Sequence, residues 1–172
     1  SMVLAGGIDE ITELQGMMKS SDKDLGEAGG FLLLESEKTI AGNKKLAEII
    51  GYKSKSLSKE ERASLAESIS NLVIEATTSE DKNDVDATNI SVCSAFSFHE
   101  SEAILSDLYK NMDFSGVRES VRIDWMGACG IVQASKALEN IDKRYGENII
   151  WTLINIDREK SSVLVLKACK QL

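Results

Sequence analysis

The side chains in this sequence with chemistry to offer are three cysteines, one histidine and a scatter of carboxylates. Val85 to Val92 reads as a strand carrying Cys93 at its end. A nucleophilic cysteine needs a base beside it and a depressed pKa. The single histidine, His99, lies beyond it in a loop or helix start, so Cys93 reads as a packed structural thiol and His99 as a surface or capping residue. Cys129 follows Gly127-Ala128, where small residues let a helix approach a strand, and packing accounts for it. Cys93, Cys129 and Cys169 are an odd set without CxxC spacing, so neither a disulfide framework nor a zinc site is expected, and the thiols are expected reduced. Asp81, Asn83 and Asp86 have the alternation of a calcium loop but not its glycine or closing glutamate, which leaves a solvated turn. No metal and no cofactor is implied.

The elements that would position these residues follow from hydrophobic periodicity. Met2 to Ala5 reads as a short apolar strand ending in a turn at Gly6-Gly7, with a weak helix near Ile8 to Met18. Phe31 to Glu35 reads as a strand, Ala41-Gly42-Asn43 as a turn, and Leu46 to Tyr52 as a second strand beside it in the same sheet. Ser58 and Glu61 have the spacing of a capping box, and Leu65, Ile69, Leu72, Val73 and Ala76 then recur at helical period. Val85 to Val92 predicts a strand and Glu102 to Tyr109 a helix. From Gly127 onward Ile131, Ala134, Leu138 and Ile141 predict another helix, ending near Tyr145-Gly146. Ile149 to Ile156 and Val163 to Ala168 are almost continuously apolar, as strands covered on both faces are, and the polar Asp157 to Ser161 predicts a hairpin turn between them. The fold class is α/β, a mixed sheet flanked by helices and ending in a β-hairpin.

Composition bounds what such a fold can do. A chain of 172 residues is long enough to bury about 70% of its unfolded surface, and one domain over residues 1–172 is the default. The formal charge of −8 and the lack of a basic cluster argue against a nucleic-acid partner. No apolar run approaches the roughly 20 residues of a membrane span, and no charged leader precedes an apolar one, so the chain is expected in the cytoplasm without membrane contact.

Ordered motifs along most of the chain resemble the C-terminal half of a β-ketoacyl synthase, a condensing enzyme of the thiolase superfamily. Ala5-Gly6-Gly7-Ile8-Asp9-Glu10 is similar to the glycine-glycine and acidic strand end that follows the nucleophile region. Gly26-Glu27-Ala28-Gly29-Gly30-Phe31-Leu32-Leu33-Leu34-Glu35-Ser36 resembles the family's Gly-Glu-Gly-Ala-Gly segment, and Leu46 to Tyr52 its next strand. Asp84-Val85-Asp86, Glu102-Ala103-Ile104 and Gly127-Ala128-Cys129-Gly130 recur in the same order. The resemblance implies a thiolase-like half-fold, with the nucleophile-bearing half lying before Ser1.

That family takes an acyl group onto a cysteine thiolate and decarboxylates a malonyl thioester, while two histidines donate hydrogen bonds to the enolate oxygen. By the resemblance, Cys93 occupies the place of the first histidine and Asp124 that of the second. A thiol is a weak donor, and a carboxylate would repel the enolate. The family's lysine falls near Glu119, with Arg118 and Arg122 beside it, and its glycine-rich turn has become Asp157-Arg158-Glu159-Lys160-Ser161. No catalytic residue is therefore assigned. The expectation is a condensing-enzyme-like subunit resembling a chain-length factor, acting in fatty acid or polyketide-type acyl chain biosynthesis, with Trp125 and Met126 as acyl-tunnel candidates. The alternative is the C-terminal fragment of an active 3-oxoacyl-[acyl-carrier-protein] synthase, an acyltransferase. The expected partner is an N-terminal half or a synthase-like chain in an obligate dimer, with an acyl carrier protein as a further candidate.

Overall fold

A computed structural model describes residues 2–9, 24–25, 28–36, 45–77, 87–94, 98–111, 115–121, 123–124, 129–144, 147–156 and 159–169. Its elements run β1 (Met2–Asp9), β2 (Asp24–Leu25), β3 (Ala28–Glu35), β4 (Ala47–Ser56), α1 (Lys59–Ala63), α2 (Leu65–Thr77) and β5 (Ala87–Ser94). They continue with α3 (Phe98–Asn111), β6 (Arg118–Ser120), β7 (Ile123–Asp124), α4 (Cys129–Lys143), β8 (Ile149–Ile156) and β9 (Lys160–Ala168). Five strands form one sheet in the order β4-β9-β8-β5-β6. β5 runs parallel to both β6 and β8, while β9 is antiparallel to its neighbours β8 and β4. This is the mixed, helix-flanked sheet that the pattern predicts, and the chain's last two strands are its hairpin.

The continuous apolar runs of β8 and β9 resolve into two faces, because successive side chains on a strand point to opposite sides. Ile150, Ile154, Ile156, Val163 and Val165 pack with Ile69, Leu72 and Val73 of α2 and with Ile104, Leu105 and Leu108 of α3. On the other face Ile149, Trp151, Leu153, Leu166 and Ala168 pack with Ala134, Ala137 and Ile141 of α4. β5 divides differently: Ile90 and Val92 join the first core, whereas Asn89, Ser91 and Cys93, also buried, alternate toward α4.

Beyond α4 lies a second, two-stranded layer. β1 and β3 pair antiparallel along their full length, with Leu4 opposite Leu33 and Gly6 opposite Phe31. Leu32 of β3 joins the core that α4 covers. Gly30 brings the ribbon close to the helix, since a Cβ there would sit 3.3 Å from Ile131 Cγ1. The expected turn at Gly6-Gly7 does not form. The strand continues through both glycines, and the Phe31 ring lies across Gly6, where any side chain would collide with it. The helix expected near Ile8 to Met18 gives way at Ile8 and Asp9 to strand, and its remainder falls outside the described residues.

β3 and β4 are not neighbours, contrary to the sequence pattern. β4 pairs with β9, from Ala47 opposite Ala168 to Ser56 opposite Lys160. Local turn chemistry between two apolar runs reads as a hairpin, but the stronger partner for β4 is a strand from the far end of the chain. The capping box does form: the Ser58 N–H donates to Glu61 Oε2 at 2.9 Å and the Glu61 N–H to Ser58 Oγ at 3.2 Å. It starts the short α1 rather than the long helix, because the chain breaks at Ser64 before α2.

Candidate functional site

Parallel β5, β6 and β8 end on the same edge of the sheet, at Ser94, Ser120 and Ile156. Crevices beyond the carboxyl ends of parallel strands are where open α/β sheets bind ligands. Cys93 is the penultimate residue of β5 and Cys129 the first of α4, and the two are joined in a disulfide with their Cα atoms 6.5 Å apart. That separation suits a bridge. Both cysteines are buried, with Val121 packed against them. The expectation of reduced thiols does not hold for this pair. At a sequence separation of 36, no spacing motif announces the bridge; the crossover through α3, β6 and β7 brings the sulfurs together. Cys169, just past β9, remains a free thiol. Burial pushes its pKa up, against a smaller lowering by Lys45.

Beneath the bridge lies a polar contact that sequence reasoning missed. Gln133, one turn along α4 from Cys129, is buried; its Nε2 donates to Ser91 Oγ at 3.1 Å and to the Ile154 carbonyl at 3.3 Å. One side chain thus ties α4 to both β5 and β8. The available signal was a lone amide on the apolar stripe of an amphipathic helix. Asn89 plays a similar part on β5, accepting from the Val117 N–H at 2.6 Å and donating to the Ile150 carbonyl at 3.4 Å, which holds the approach to β6.

The remaining predicted residues scatter. Asp124 closes β7, where it is in register with Leu25 of the parallel β2; its side chain is outside the described residues. Trp125, Met126, Arg122, Asp157 and Arg158 also lie outside them, as do Asp81, Asn83 and Asp86. His99 is the second residue of α3, the helix start among the two places expected for it, and its side chain is not among those described. Glu119 accepts from Lys136 of α4 at 3.1 Å. Arg118 lies 4.3 Å from the ring centre of Tyr109 on α3. Burial pushes the Tyr109 phenol up to about 12, the Arg118 charge acting in the opposite direction. Exposed Glu159, just before β9, accepts at its carbonyl from the Leu57 N–H at 2.8 Å.

Bridged to Cys129, the Cys93 sulfur carries no proton. It can neither attack as a thiolate nor donate a hydrogen bond. Among the described residues no three His, Cys, Asp or Glu side chains gather as a metal site would require, and no helix is long and apolar enough to cross a membrane.

No protein-family profile matches the sequence and no curated relative does. Solved structures do match. The chain superposes on the ishigamide ketosynthase/chain length factor with a TM-score of 0.63 at 18% identity, over 97% of this chain and 49% of that one. For 3-oxoacyl-[acyl-carrier-protein] synthase III from Aquifex aeolicus VF5 the TM-score is 0.54 at 13% identity, over 96% of this chain and 57% of that one. For the Acat5 thiolase from Ascaris suum it is 0.52 at 13% identity, over 86% of this chain and 38% of that one. This chain therefore spans about half the length of the solved structures it matches, and over that span the fold is the thiolase type.

Proposed function

We propose that this chain, carrying about half of a thiolase-type condensing-enzyme fold, is a catalytically silent subunit that supports an active partner in acyl chain assembly. The observation that carries the reading is the bridge between Cys93 and Cys129 at the end of β5, the place where the family resemblance calls for a histidine. A sulfur held in that bond supplies no hydrogen bond to an enolate. Asp124, at the second histidine's place, would repel one. The unit, residues 1–172, pairs with a synthase-like chain in an obligate dimer in the cytoplasm and works in fatty acid or polyketide-type biosynthesis as chain-length factors do. Trp125 and Met126 line the acyl tunnel, and an acyl carrier protein delivers the substrate to the pair.

The test is turnover of malonyl- and acyl-loaded carrier protein, followed as carbon dioxide release and product length. The chain alone is expected to release none. In complex with its partner, Asp124→Ala and a Cys93→Ser/Cys129→Ser variant should leave turnover unchanged, while Trp125→Ala shifts product length. Unaltered product length would remove the tunnel role.

A second reading is favoured by one observation, the coverage of about half of each matched chain. In it the chain is the C-terminal half of an active 3-oxoacyl-[acyl-carrier-protein] synthase whose nucleophile lies on the other half. Loss of turnover in the complex on Asp124→Ala would select this reading over the silent one.

A further inference from the structure

The first turn of α4 and the rest of the helix are held in different ways. Beyond that turn the helix is fixed by packing and by hydrogen bonds. Ala134, Ala137 and Ile141 lie in the core shared with β8 and β9, and Gln133 donates to Ser91 Oγ and the Ile154 carbonyl. In the first turn only Cys129 is buried; Gly130 is exposed, and Ile131 and Val132 are half-buried. A Cβ built on Gly130 would meet nothing within 4 Å, and Ile131 faces Gly30 of the β1–β3 ribbon. Cys129 belongs to neither large core but to a small cluster with Cys93 and Val121. Those two partners are fixed on the sheet side, Cys93 within β5 and Val121 by its N–H to the Val92 carbonyl at 2.9 Å. Among the described residues, the tie between the first turn and the sheet is therefore the sulfur–sulfur bond.

The bond can be made and broken, and its two states are not equally reachable. When it stands, both cysteines are 2% exposed, and an attacking thiolate reaches the sulfurs only when the chain opens locally. When it is reduced, the first turn loses its one buried anchor, and the Cys129 thiol comes within reach of solvent. The pair closes readily and opens slowly.

From this arrangement we infer that Cys93 and Cys129 form a redox latch. Bridged, they dock the first turn of α4 against the end of β5; reduced, that turn undocks while Gln133, Ala134, Ala137 and Ile141 keep the rest of the helix in place. Closing consumes one hydroperoxide. The Cys129 thiolate attacks its O–O bond, giving a sulfenic acid and, after protonation, water or an alcohol; the Cys93 sulfur then displaces the hydroxyl group, and a second water leaves as the bridge forms. Opening takes two electrons from a dithiol. One of its thiolates attacks a bridge sulfur, the cysteine set free takes up a proton, and the second thiol resolves the mixed disulfide, leaving two thiols here and a disulfide on the reductant. The latch borders the ends of β5 and β6, where the candidate site lies. Its effect there, a change of product length with redox state, rests on the proposed role of this chain in shaping an acyl tunnel; the latch itself does not.

The test uses the purified full chain carrying Cys169→Ser, so that thiol counts report the pair alone. Dithiothreitol should reduce the bridge in native buffer roughly tenfold or more slowly than in urea, because reduction waits on opening. In the reduced chain, hydrogen exchange should quicken at the amides of Gln133 to Lys136, whose helical acceptors are the first-turn carbonyls, and stay unchanged from Ala137 to Lys143. Hydrogen peroxide at one equivalent should restore both the bridge and the slow exchange. A Cys93→Ser/Cys129→Ser variant should resemble the reduced chain and respond to neither reagent. Exchange at Gln133 to Lys136 that is the same in both redox states, exchange that quickens equally along the whole helix, or peroxide treatment that leaves the bridge open overturns the latch. In complex with a partner, bridged and reduced forms should make products of different length. Equal lengths beside the expected exchange pattern would remove the tunnel role and leave the latch standing.

Discussion

Two antiparallel strand pairs sit on opposite sides of α4, and among the described residues only one of them is covered on both faces and both edges. β8–β9 is buried on both faces, with neighbouring strands on both edges and helices on either side. β1–β3 has one face on α4 and presents Leu4, Phe31 and Leu33 on the other. Both are apolar in sequence. What separates them is what they touch, so apolar content alone does not tell a core strand from an interface strand.

The comparison would break most visibly under charge insertion. Ile154, fully buried between the sheet and its helices, should cost about 4 kcal/mol or more when replaced by Asp, because an unpaired charge enters the core. The isolated chain is then expected to unfold. Leu33→Asp should change stability by no more than about 0.5 kcal/mol. Urea titration of both variants measures the contrast, and equal losses would mean that the ribbon's outer face is covered.

Next in size is the bridge. Reduction of Cys93–Cys129 frees a loop of 36 residues, worth about 4 kcal/mol in the chain-entropy account. For a chain of this length that corresponds to a fall of about 8–16 °C in Tm. Because the bridge pins the start of α4, hydrogen exchange should quicken more in β1–β3, which has α4 as its main support, than in β8–β9, which is held by four other elements. Thiol counting without reductant should find Cys169 alone. Cytoplasmic thiols are kept reduced, so the bridge is expected to stand there through the burial of both cysteines, which shields the sulfurs from exchange. Acid-quenched alkylation of native cells decides whether the bridged form is the one at work.

Gln133→Ala should cost about 1–3 kcal/mol, since it removes the donor to Ser91 Oγ and to the Ile154 carbonyl inside the protein. The loss falls on the α4 to β5–β8 contact, so exchange in the ribbon should follow that in the sheet. The smallest effect lies away from both pairs. Ser58→Ala removes the cap of α1 at about 1 kcal/mol. Its capping partner Glu61 has a pKa lowered first by its hydrogen bond to Lys55 of β4 and then by the Ser58 backbone. A group whose folded pKa is depressed stabilises above its ordinary value, here 4.5, and that contribution is lost as pH falls through the lowered one. Comparing Tm at neutral pH and well below 4.5 in wild type and Glu61→Gln isolates it, the variant losing less on acidification.

Much of this was legible beforehand. The helix through Ile69 to Ala76, the one from Cys129 to Lys143, the closing hairpin and the capping box at Ser58 all follow from local periodicity and side-chain chemistry, and each forms. Three features were not legible. β3 lies in a different sheet from β4, β1 continues through Gly6-Gly7, and Cys93 meets Cys129. Each depends on a partner distant in sequence, and the turn chemistry that suggested otherwise acts only between neighbours.

Residue order by itself determined that this chain folds as α/β, because a period of 2.0 or 3.6 in apolar residues is a property of consecutive positions. It also marked Met2 to Ala5, Phe31 to Leu34, Ile149 to Ile156 and Val163 to Ala168 as apolar strands. Which of them is covered, and that the candidate site is closed by a sulfur–sulfur bond, was decided only by the tertiary structure. α4 has room for the ribbon on one side and the sheet on the other, but β5 and β4 reach the edges of β8–β9 alone.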